Sequence, residues 1–153
     1  MMESGHCLNY RIFKKELCLE KYLLNLNPKS AATLCRFRCG NHSLPNVTGR
    51  HSGIDIVNRK CTLCKSYNIG DEFHYIFQCD AFSSERSSLI SGHITPRPCA
   101  LTLEALFSTN DPLALSNLSK FCAIIMAKFR PEWKLTSKRK LRQKKKKGTT
   151  VPN

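Results

Sequence analysis

The sequence predicts a mainly α fold, a small helical domain with a Cys-Cys-His-Cys zinc-stabilised turn-helix unit and a disordered basic tail. Three observations predict it. Apolar residues recur at spacings of three and four in several stretches, as on a helix with one buried face. Residues 61–79, "CTLCKSYNIGDEFHYIFQC", gather three cysteines and a histidine. From Lys134 to Lys147, "KLTSKRKLRQKKKK" holds nine basic residues and no acidic one. A chain of 153 residues suits one compact domain with tails, and a core this small gains from a bound metal.

Residues 1–9 are expected to form a flexible N-terminus, and 10–60 to form two helices and a connecting loop. The first helix should run from about Tyr10 to Leu26, with Ile12, Leu19, Leu23 and Leu26 on one face and Lys14, Lys15, Glu16 and Lys21 between them. Asn27-Pro28 stops it. Ser30 caps a second helix carrying Leu34 and Phe37, which ends near Gly40. Residues 41–60 lack sustained periodicity and read as an ordered loop.

The zinc-binding unit is assigned to 61–92. A turn-rich stretch leads to Gly70-Asp71, where Asp71 can accept bonds from free first-turn amides and Glu72 suits the positive helix end. A helix follows to about Gln78, and another covers Ser83 to Ser91. C-terminal helices occupy 93–133: a short one near Leu103 to Phe107, then a long one opened by Asp111-Pro112, a cap followed by a first-turn proline. Its stripe of Leu115, Leu118, Cys122, Ile125 and Phe129 reads as core, and it ends before Pro131. Residues 134–153 are low in complexity and expected to be disordered.

Cys61, Cys64, His74 and Cys79 are spaced Cys-x2-Cys, nine residues, His, four residues, Cys. The first pair can turn both sulfurs to one side of a tight loop. A histidine and a third cysteine complete a tetrahedron suited to one structural Zn2+, with no open position for water. On a regular helix His74 and Cys79 would point about 140° apart. Cys79 must therefore lie at or beyond a helix end, with a kink at Asp80 and Ala81 and with Phe73, Ile76 and Phe77 covering the apolar side. Cys35, Cys39 and His42 form a rival or second set. Cys7, Cys18, Cys99 and Cys122 read as packing residues or free thiols.

The formal charge is +14, from 25 basic and 11 acidic residues. Without the nine basic residues of 134–147 the count is 16 against 11, a net of about +5. Phosphate is the natural partner for such a tail, since each neutralised phosphate releases condensed counterions. A nuclear-import signal is the alternative, and the two are compatible. The opening residues have no long apolar run, so no secretory signal is expected. The longest such run, Phe121 to Ala127, is too short to span a bilayer. An intracellular, nuclear chain keeps its nine cysteines reduced, and clustered thiols then point to metal. The sequons at Asn41, Asn46 and Asn117 read as accidental on the same ground.

In order along the chain, "FKKELCLEKYLLNL", "LCRFRCGNHSLP", "GRH" and "RKCTLCKSYNIGDEFHYIFQC" resemble the C-terminal end of non-LTR (LINE-type) retrotransposon reverse transcriptases. The resemblance covers about Tyr10 to Ile90, and "IGDEFHYIFQC" is its most specific part. It implies a Cys-Cys-His-Cys zinc motif on Cys61, Cys64, His74 and Cys79 that helps hold template RNA or target DNA. The paired palm aspartates that such polymerases use to hold two metal ions are missing: the sequence contains no Asp-Asp pair. It therefore resembles a severed or degenerate tail.

The expected function is that of a non-catalytic nucleic-acid-binding module for RNA or DNA, with no membrane and no small-molecule substrate. Arg36, Arg38, Arg50, Arg59 and Lys60 are the candidate phosphate contacts of the body, with Tyr67 or His42 near enough to stack on a base. Lys138, Arg139, Lys140, Arg142, Lys144, Lys145, Lys146 and Lys147 are those of the tail. The alternatives are arginines that merely solvate a core helix, and a protein-interaction fragment or retroelement remnant. Zinc-deaminase, zincin, Walker-loop and nucleophile-elbow signatures do not occur in the sequence.

Overall fold

The computed structural model describes residues 10–14, 18–90, 92 and 97–130. Seven α-helices occur among them: α1 (Tyr10–Phe13), α2 (Lys21–Asn25), α3 (Pro28–Arg38), α4 (Pro45–His51), α5 (Ser83–Ile90), α6 (Ala100–Ser108) and α7 (Pro112–Lys128). A 3-10 turn covers Ile56–Asn58, a π-helical turn His74–Gln78 and another 3-10 turn Asp80–Phe82. No strand occurs among the described residues. A single antiparallel bridge pairs Lys60 with Ile69. The tail from 134 onward and residues 1–9 lie outside the described residues, as do the expectations attached to them.

Helix α7 is the hub, packing against α3 and α5. Leu115, Leu118, Cys122 and Ile125 are buried as its periodicity predicts, together with Phe121. Asp111 caps it, its carboxylate accepting from the amides of Leu113 and Ala114, and Pro112 follows as expected. The buried Ser119 hydroxyl donates to the Ser30 carbonyl at 3.1 Å, tying α7 to the start of α3. α6 begins earlier than expected, at Ala100, where the Cys99 amide donates to Thr102 Oγ1 at 2.8 Å.

Three local expectations are corrected. The helix over 10–26 is split into α1 and α2, with Lys14 and residues 18–20 outside any helix. Leu19 and Leu23 are exposed, and Tyr22 is buried instead. The cause lies in Arg38, whose buried guanidinium needs an anion. Glu20 reaches its Nη2 at 3.0 Å and Lys14 Nζ at 2.8 Å, which bends the chain away from a straight helix. Ser30 does not cap α3. Asn27 does, its Oδ1 accepting from the Ser30 amide at 3.0 Å with Pro28 in the first turn, so the residues that stop one helix start the next. Finally, 41–60 contains α4, which Pro45 starts and the burial of Leu44, Val47 and Gly49 holds in place. Gly49 lets Arg59 lie on it, because a Cβ there would stand 2.7 Å from Arg59 Cγ.

At the end of α3, Gly40 adopts φ +62°. The Gly40 amide donates to the Phe37 carbonyl and the Asn41 amide to that of Arg36, a Schellman end that turns the chain toward the cysteine segment.

Candidate metal centre

Two backbone pairings build the turn that carries the first ligands. The Cys61 amide donates to the Asn68 carbonyl, and the Gly70 amide to that of Arg59, both at 2.8 Å. Gly70 sits where a Cβ would fall 2.7 Å from the Tyr75 hydroxyl and 2.9 Å from Pro45 Cγ, so any larger residue would push the turn off α4 and the helix behind it. Asp71 Oδ1 accepts from the His74 amide at 2.8 Å, the capping role read from sequence.

The His74–Cys79 relation has a specific solution. The segment 74–78 winds as a π turn, and the Cys79 amide donates to the His74 carbonyl at 2.8 Å, an i to i+5 bond. Cys79 then leaves the helix with extended backbone, and Asp80–Phe82 begins the kink into α5. The widened turn brings a residue five positions on back toward His74, as the sequence argument required.

Cys61, Cys64, His74 and Cys79 thereby offer ligand atoms that all lie within 4.8 Å of one another. Cys61 Sγ is 3.5 Å from Cys64 Sγ and 3.9 Å from Cys79 Sγ, and Cys64 Sγ is 3.3 Å from His74 Nε2. Four donors around one ion with metal–sulfur bonds of about 2.3 Å would hold their sulfurs about 3.8 Å apart. The cluster matches that spacing and can hold one metal ion. The Leu63 amide points at Cys61 Sγ from 3.4 Å, a donor suited to a thiolate. His74 Nδ1 faces Gln78 Oε1 at 3.5 Å, which leaves Nε2 for the metal.

The thiols differ in acidity. Burial raises Cys64, but bonds from the Ser66 hydroxyl and amide, then from Cys61 and His74, outweigh it and bring its pKa down to about 6. Burial, with Cys61 and Cys64 beside it, pushes Cys79 up to about 12 against an opposing bond from the Ala81 amide.

Two residues that the sequence reading missed complete the centre. Tyr75 is fully buried, and burial first and the Cys61 thiol second raise its pKa. Its hydroxyl completes no hydrogen bond. A donor facing an acceptor-poor thiol is poorly matched, whereas a metal-bound thiolate at Cys61 would accept from it, so this orphaned atom also fits a metal at the cluster. Arg86, buried on α5, donates from Nε to the Ile76 carbonyl at 2.6 Å and from Nη2 to the Cys79 carbonyl at 2.7 Å. It thereby bonds the Ile76 carbonyl within the π turn and joins the Phe82 amide on the Cys79 carbonyl at the kink. Burial lowers its pKa against the pull of Cys79 and Asp80. Phe73, Ile76 and Phe77 do join the apolar cluster that includes Cys61 and Cys79.

The expected nucleic-acid contacts separate. Arg36 and Lys60 are exposed, and Arg50 and Arg59 are half-buried. Arg59 is partly committed, with Nε donating to the Ile54 carbonyl at 2.8 Å. Arg38 is a correction: it is buried, paired with Glu20, bonded to the Phe107 carbonyl and laid over the Tyr22 ring, so it braces the core and faces no phosphate. His42 is another. Its side chain is almost wholly buried, with Nε2 on Glu72 Oε1 at 2.9 Å, which removes it as a stacking surface. Tyr67 is 76 % exposed. Among the described residues Cys35, Cys39 and His42 do not converge as a second ligand set. Lys138, Arg139, Lys140, Arg142 and Lys144 to Lys147 lie outside the described residues. No described helix is long and apolar enough to cross a membrane.

Compared with known proteins, the chain matches no family model, no curated protein and no solved structure.

Proposed function

We propose that the chain is a non-catalytic nucleic-acid-binding module, held by one structural zinc and akin to the C-terminal tail of a LINE-type reverse transcriptase. The observation that carries the reading is the convergence of Cys61, Cys64, His74 and Cys79, the residues to which the resemblance assigns the metal. Three thiolates and an imidazole suit Zn2+, and four protein donors make the site structural. Bound zinc supplies a crosslink between the 61–70 turn and the helix behind it. The exposed Arg36 and Lys60 and the lysine-rich tail supply cations for phosphate, and the tail also supports a nuclear location.

The test is affinity against salt. Binding of a single strand or duplex is expected to fall steeply between about 50 and 200 mM salt, and most of that slope should vanish when residues after 134 are deleted. Absent or salt-insensitive binding overturns the reading. The exposed Ile54, Ile56 and Val57 favour a second reading, a protein-interaction fragment, which such a result would leave standing.

A further inference from the structure

We infer that the groove between α4 and the metal-centre turn is a track for one unpaired nucleic-acid strand, with Tyr67 as the platform on which a base stacks. The inference rests on the nucleic-acid reading above and narrows it to one surface and one strand class.

The groove encloses about 370 Å³. Ser43, Thr48, Ser52 and Thr62 place hydroxyls along it, Arg59 and Lys60 place cations, and no carboxylate is among its lining residues. That chemistry suits a phosphodiester and repels neither its charge nor its oxygens, whereas a metal ion or an amine would find no anionic partner. Ile54 and Phe129 add apolar surface to the same groove, which suits the faces of sugars and bases.

Tyr67 belongs to the same turn as Lys60 and Thr62, two of the groove's lining residues, and the bond from the Cys61 amide to the Asn68 carbonyl ties the residue after Tyr67 to the residue before Thr62. Its backbone is left-handed at φ 57°, the only positive φ among the described non-glycine residues. A bulky aromatic rarely adopts that conformation, and such strain gathers where a side chain is held for a ligand. Exposure of 76 % shows that the ring contributes little to the core. A paired base hides its faces in the duplex stack, while an unpaired base offers them, so a ring beside a cationic groove selects single strands.

The experiment uses the metal-loaded full chain with a dodecamer of deoxyuridylate, one of uridylate, and a duplex of equal length. Fluorescence anisotropy is read at raised salt, where tail–phosphate contacts weaken and stacking persists. Tyr67→Gly relieves the backbone strain, so its melting temperature should hold or rise while single-strand affinity drops about tenfold. Tyr67→Phe should bind like the unaltered chain. Ser52→Glu, at an exposed lining position, should weaken the single strand through repulsion of phosphate. Loss on either dodecamer supports the track, and their ratio reads the sugar preference. If Tyr67→Gly and Ser52→Glu both bind the single strands as the unaltered chain does, the track is overturned and the broader reading stands. Equal losses on the duplex overturn the strand assignment. No binding of any probe by the unaltered chain at raised salt overturns the track, and no binding at about 50 mM salt either overturns both.

Discussion

Helix α7 buries five large side chains or thiols, Leu115, Leu118, Phe121, Cys122 and Ile125, against its neighbours, whereas residues 61–70 bury only Cys61 and Gly70. The helical part is held by apolar area removed from water. The cysteine turn has almost none to remove, and a few backbone bonds position it. Its geometry nevertheless brings donors together that repel or desolvate one another without an ion between them. A metal ion held by Cys61, Cys64, His74 and Cys79 would stabilise such a turn far more than it would the helices, and the two regions should then come apart under different insults.

Metal removal gives the largest expected difference. Ligation of a structural zinc supplies roughly 10–16 kcal/mol in small zinc units, so Cys64→Ser or a chelator should release the ion and free the turn. Native-state hydrogen exchange should then show amides of 61–70 losing protection while those of α3 and α7 retain most of theirs. If α7 exchanges as fast as the turn, the two regions are one cooperative unit and the contrast fails. Zinc should load at one ion per chain in the unaltered protein.

Arg86 is where the regions join, and its effect should be intermediate. Arg86→Leu keeps much of the volume but strips donors from the carbonyls of Ile76 and Cys79. Bonds to a charged group contribute roughly 1.5–3 kcal/mol each, so a loss of about 3 kcal/mol in unfolding free energy is expected. Thermal or denaturant unfolding reads it. A change under about 0.5 kcal/mol would mean that water satisfies these carbonyls and that Arg86 is no joint.

How much of this was legible in the sequence follows the same division. α7 was legible in its cap and buried stripe, because local periodicity and a long apolar face decide it. The convergence of Cys61, Cys64, His74 and Cys79 was legible because coordination would demand fixed residue types at narrow spacings. Even the break at Cys79 followed from helix geometry, though the π turn that achieves it did not. The α1–α2 split was hidden, because it depends on Glu20 meeting Arg38 across the fold. So was α4, a short helix without an apolar stripe, with Gly49 lying beneath Arg59. Arg86 did leave a trace. It falls between Phe82 and Ile90 at spacings of four, a charged residue in an apolar row, and all three are buried. Tyr75 left none, since its hydroxyl matters only through a neighbour fourteen residues away in sequence.

The smallest expected effect tests that hydroxyl, and its sign should reverse with the metal. In the metal-free chain the buried Tyr75 hydroxyl has no nearer match than the Cys61 thiol, a weak acceptor with which it completes no well-formed bond, at a cost of about 1–3 kcal/mol. Tyr75→Phe should therefore leave metal-free stability unchanged or raise it. With zinc bound, Cys61 becomes a thiolate that accepts from the hydroxyl, and the substitution should weaken zinc about tenfold. The pH dependence keeps this separate from protonation of the ligands themselves. Cys64, at about 6, is largely ionised at neutral pH, whereas Cys79, raised to about 12, keeps its proton until the metal displaces it. Zinc affinity should thus rise with pH throughout, and fall more steeply below about pH 6, where Cys64 must also be deprotonated. Tyr75→Phe should shift that whole curve down without changing its slope, because it removes a hydrogen bond and no titrating ligand. Competition with a chromophoric chelator across pH measures both. A metal-free variant less stable than the unaltered chain would show that the hydroxyl already has a partner before zinc arrives, and the preorganised donor would be lost from the account of the site.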